Sequence, residues 1–83
     1  MGARTTWPQF DHLTAEEFAA LLRSSKLSSE EREIATQCIV WHMPYIDTGS
    51  IVHMDRRTVA RKMERVIVPE LERMMHRYSK AGA

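Results

Sequence analysis

Between Thr48 and Arg65 the chain reads TGSIVHMDRRTVARKMER, an order that few backbones can accommodate. Gly49 is small enough to lie where two helices cross closely. Val52 follows three residues on, a turn falls at His53–Met54, and Asp55 has the side chain that caps a new helix. Val59 then comes where it would tuck back against Gly49 and Val52. This spacing predicts two short helices, Pro44–His53 and Arg56–Ile67, around a tight turn: the pattern of a helix-turn-helix.

The second of these helices carries the candidate chemistry. Its apolar positions Val59, Met63 and Val66 recur at steps of four and three, so that face is expected to be buried. Arg57, Arg61 and Arg65 form a row on roughly the opposite side. In a helix-turn-helix the second helix enters the DNA major groove, where an arginine can pair with guanine through two hydrogen bonds. Arg56, Arg57 and Arg61 are the expected base readers. Tyr45, Thr58, Lys62 and Arg65 flank them and are expected to meet phosphates, contacts that fix register without carrying sequence information. A basic helix can also dock an acidic partner such as RNA polymerase or another co-regulator. That use calls for an exposed apolar stripe on the same face.

Length and charge narrow the alternatives. Eighty-three residues make one small domain with a thin core, for which association is a common source of stability. Residues 1–55 hold four Lys/Arg against eight Asp/Glu, and residues 56–83 hold eight against three. A basic half beside an acidic one suggests a polyanion partner. The single cysteine, Cys38, lies in an apolar segment and reads as a buried, inert thiol in a reducing cytoplasm. No apolar run is long enough for a membrane span, and no signal-peptide layout opens the chain. MGARTT fits the loose myristoylation string, a match that is mostly accidental. His12, His42, His53 and His76 match no metal-ligand spacing, and no cofactor is implied. There is neither a glycine-rich phosphate loop nor a nucleophile with a base in reach, so an enzyme is not expected.

Taken in order, residues 1–12 are expected to be an arm that folds back through Trp7, Pro8 and Phe10. Thr14 with Glu17, and Ser28 with Glu31, are capping boxes that start two helices. Leu13 and Phe18 form a staple across the first box. The second helix is expected to bury Ile34, Ala35, Cys38, Ile39 and Trp41 and to end at Met43-Pro44. Its acidic first turn, Glu30, Glu31 and Glu33, reads as complementing the helix dipole. Pro69 would clash with the carbonyl of Arg65 inside a helix, so a kink, or a break near Val68, is expected, with the last helix over Pro69–Tyr78. The fold class is all-α, a small five-helix bundle: arm 1–12, helix-turn-helix domain 13–68 and C-terminal helix 69–83. Leu71, Met74, Met75 and Tyr78 form a stripe on that last helix, expected to be exposed and to join a homodimer; the alternative is that the stripe folds back on the first helix.

With these residues read, LTAEEFAALL (Leu13–Leu22), LSSEEREIATQCIV (Leu27–Val40) and CIVWHMPYIDTGSIVHMDRRTV (Cys38–Val59) resemble the KorA/TrfB family of plasmid transcriptional repressors. The likeness runs from Leu13 to roughly Leu71. It implies a cytoplasmic regulator that binds a palindromic double-stranded operator as a dimer and blocks transcription of plasmid genes. It also implies Asp55, Arg56, Arg57, Ala60 and Arg61 as the groove-facing residues. His53 stands where the family usually has a turn glycine. The chain is too short for the family's added dimerisation segment, which leaves that task to the last helix.

Overall fold

The computed structural model describes residues 7–81, with side chains described as far as His76. Residues 1–6, including the MGARTT string, lie outside it. Local sequence rules account for most helix starts. Helix α1, Ala15–Ser24, begins at a reciprocal cap: the Glu17 N–H donates to Thr14 Oγ1 (3.0 Å) and the Thr14 N–H donates to Glu17 Oε1 (2.9 Å). Ser28 and Glu31 repeat the arrangement at the start of α2. This helix covers residues 29–40, α-helical over Ser29–Ala35 and a wider π turn over Thr36–Val40. Helix α3 is Tyr45–Val52, entered directly from Pro44. Residues 56–81 then form one helix, α4, about 39 Å long at about 1.5 Å per residue. It is α-helical over Arg56–Lys62, π over Met63–Ile67, and α-helical again over Val68–Ala81. Four helices and one 3-10 turn, Pro8–Phe10, are thus present among the described residues, and no strand.

The expected break at Pro69 does not occur. Proline cannot donate to the carbonyl four residues back and crowds it. Here the helix widens by one residue just upstream, so that the Val68 N–H donates to Met63 O, five residues back. Position 69 therefore falls inside a single helix.

The wide turn also sets which face is buried. Val59, Met63, Ile67 and Leu71 are all fully buried. In a regular helix turning about 100° per residue, the step from Val59 to Leu71 overshoots three full turns by about 120°. A π turn absorbs about one residue of rotation, which leaves roughly 20°. The four side chains thus form one straight apolar row. Val66, expected in the core, is instead 42% exposed, and Ile67 takes its place.

The same effect moves Trp41. Ile34, Ala35, Cys38 and Ile39 are buried as expected, but Trp41 is 69% exposed. The π turn at Thr36–Val40 swings it about 120° from the Ile34 direction. The Thr36 hydroxyl, donating to Arg32 O (2.9 Å), is a local cause, since such back-bonding distorts helices.

The core joins these rows to Phe18, Leu21 and Leu22 of α1 and to Leu27 of the connector. The arm packs as expected where it is described. Phe10 is buried edge-on against Phe18, their rings 6.0 Å apart. The supposed dimer stripe is largely inside: Leu71 and Met74 are buried, and Met75 is half-buried against the same core. The side chain of Tyr78 lies outside the described residues. Because α4 continues without a break, its second half stays against α1, and the stripe completes this core rather than facing outward.

Candidate nucleic-acid interface

The unit α3–turn–α4 is pinned by its backbone. Helix α3 ends at His53, whose φ of 59° and ψ of 42° are left-handed. This is the conformation a turn glycine would favour, and histidine adopts it at some cost. The Met54 N–H donates to Gly49 O at 2.8 Å. A Cβ on Gly49 would overlap the Met54 carbonyl oxygen, so the turn folds onto α3 as tightly as glycine permits. Val59 packs beside it, with Cγ2 3.5 Å from the same Cβ position. Thr48, fully buried, shares a hydrogen bond of 3.5 Å with Cys38 Sγ and ties α3 to α2. Burial pushes the Cys38 thiol up from its ordinary value.

Asp55 starts α4 from an extended backbone, its Oδ2 accepting the Arg57 N–H at 3.3 Å. Its carboxylate is therefore engaged at the helix start. Arg56, Arg57 and Arg61 are exposed on the first two turns, and Ala60 between them is half-buried. Among the described residues the ion pairs are Lys62–Glu31 and Arg73–Glu70, so these three guanidinium groups are held by no carboxylate. Arg65 is likewise exposed and, among the described residues, outside any ion pair, and Thr58 is half-buried.

Two expected phosphate anchors are differently placed. The Lys62 ammonium lies 3.5 Å from Glu31 Oε2 of α2 and is only partly exposed. It links α4 to α2. Tyr45 is half-buried against the core, with its phenol pushed up to about 12 by burial first and then by the Glu64 carboxylate. It remains a neutral donor.

Glu70 is a polar hub that the sequence reading did not find. Its Oε2 accepts the backbone N–H of Lys26 at 2.9 Å, and Arg73 donates to Oε1 through Nη2 (2.6 Å) and Nε (3.2 Å). These donors hold its carboxyl below the usual carboxylate range, the Lys26 N–H contributing most. Glu31 is lowered as well, chiefly by the Ser28 N–H and also by Lys62. The spacing of Glu70 and Arg73 hints at their contact, but no local pattern announces a bond to Lys26. No group of three potential metal ligands and no helix long and apolar enough to cross a membrane is present among the described residues. No family model, curated protein or solved structure matches this chain.

Proposed function

We propose that the chain binds double-stranded DNA and regulates transcription, with α3, the turn and α4 acting as a helix-turn-helix. One observation carries the reading. Arg56, Arg57 and Arg61 stand exposed, outside any ion pair among the described residues, on the opening turns of a helix fixed from behind by Gly49 and Val59. An uncompensated basic face on a rigid support suits a polyanion whose groove edges offer acceptors. Arg57 and Arg61 read base edges, Arg56 joins them at the entrance, and Ala60 leaves room for close approach. Thr58 and Arg65 serve the adjoining backbone.

The alternative, docking of an acidic protein by the same helix, is less well supported. The exposed residues from Arg56 to Arg65 are Arg56, Arg57, Arg61, Glu64 and Arg65, with no large apolar side chain among them. The large exposed apolar residues Trp41, Ile46, Ile51 and Val66 lie outside this stretch. Repression of plasmid genes at a palindromic operator rests on the resemblance to KorA/TrfB repressors. A dimer serving that role would form through surfaces other than Leu71 and Met74.

Selection of random duplexes by the purified protein tests the reading. A defined motif should emerge. Arg57→Ala and Arg61→Ala should each lose about 1–3 kcal/mol of discrimination at one base pair, while the helical circular-dichroism signal stays unchanged. Equal, unselective binding by the intact protein and both variants would refute it.

A further inference from the structure

A groove of about 370 Å³ lies between the α1–α2 connector and the exposed flank of α4. Leu27, Val66 and Pro69 contribute its apolar wall, and Lys26, Arg65 and Arg73 are the bases that line it. Its two carboxylates are already engaged, Glu31 by Lys62 and the Ser28 N–H, and Glu70 by Arg73 and the Lys26 N–H. Neither Lys26 nor Arg65 forms an ion pair among the described residues. Counting Lys62 with its partner Glu31, the groove carries a surplus of positive charge.

Arg65 belongs both to this groove and to the exposed row. Arg57, Arg61 and Arg65 recur every four residues and are all exposed, so they share one flank of α4. Arg65 stands about 12 Å along the helix axis from Arg57 at about 1.5 Å per residue. That is about the width of the major groove. With Arg57 at the base edges, Arg65 would reach the strand that borders them, and Lys26 lines the same groove from the connector.

We propose that this groove seats a backbone phosphate of the DNA strand bordering the major groove, with Lys26 and Arg65 as its ligands. Glu70 acts as a positioning residue, holding the connector and Arg73 in place without touching the anion. This second contact rests on the DNA-binding reading and gives α4 two functions, base reading at its start and backbone clamping at its middle.

The test measures affinity for the selected duplex at several salt concentrations, for the intact protein and for the double variant Lys26→Ala/Arg65→Ala. Both side chains are exposed and Glu70 is retained, so circular dichroism should be unchanged. The slope of log K against log salt should become shallower by about 0.9, the value for one phosphate, with base preference unaltered. A scan of duplexes carrying one uncharged methylphosphonate at a time supplies an independent reading. The intact protein should lose affinity at a position outside the bases read by Arg57 and Arg61, and the double variant should be indifferent there. An unchanged slope, or equal sensitivity of both proteins at every position, overturns the clamp while leaving base reading intact. Absence of duplex binding by the intact protein overturns both.

Discussion

Replacing Gly49 by alanine probes the feature on which the exposed arginines depend. Gly49 lies within α3, where alanine is intrinsically the better helix former by about 1 kcal/mol. Propensity alone therefore favours the variant. The added Cβ, however, would overlap the backbone carbonyl oxygen of Met54, with the Val59 side chain beside it. A backbone carbonyl cannot swing away as the tip of a flexible side chain can, and this one follows an N–H that donates to Gly49 O. Overpacking costs roughly 1–3 kcal/mol, and the rigidity here argues for the upper end. After the propensity gain is offset, the net loss is about 2 kcal/mol. For a domain of this size that lowers Tm by about 8–16 °C. Thermal unfolding followed by circular dichroism measures it. Ser50→Ala, at an exposed position in the same helix, should gain about 0.5 kcal/mol and serves as the control. The strain is relieved only by moving the turn, so Asp55 and the arginines behind it shift too. Duplex affinity of Gly49→Ala should remain impaired at temperatures where the variant is fully folded. A Tm for Gly49→Ala at or above that of the intact protein would show that the crossing has room for a Cβ.

Three further outcomes are expected. Leu71→Ala should cost about 2–5 kcal/mol and Val66→Ala no more than about 0.5; denaturant unfolding showing the reverse order would contradict the phase set by the π turn. Glu31 and Glu70 both titrate below the ordinary 4.5 in the folded chain. Their stabilising effect is therefore fully present above that pH and is lost as pH falls through the folded values. Glu31→Gln and Glu70→Gln should each flatten the decline of Tm below pH 4.5, and an acid limb parallel to that of the intact protein would count against these contacts. Cys38 is fully buried with its thiol raised, so it should resist a disulfide reagent at pH 8 until the chain is unfolded in guanidinium. Rapid reaction of the native protein would contradict its burial.

The sequence by itself determined where α1, α2 and α4 begin, although it also announced a start at Pro69 that lies inside α4. Thr14 with Glu17, Ser28 with Glu31, and Asp55 before Arg56 are contacts within three residues, and a chain makes them wherever a helix starts. The all-helical class, the tight turn beside Gly49 and the exposure of Arg56, Arg57 and Arg61 were legible for the same reason. Phase and pairing were decided by the tertiary structure. Rotation accumulates along a helix, so one π turn before Pro69 was enough to exchange Val66 for Ile67 and to carry Leu71 and Met74 into the core. Another turned Trp41 outward. Lys62 reads as a free cation until α2 brings Glu31 to it, and Glu70 meets the backbone of Lys26 across 44 residues of chain. Partners that distant leave no periodic trace in the sequence, because only the packed core brings them within hydrogen-bonding distance.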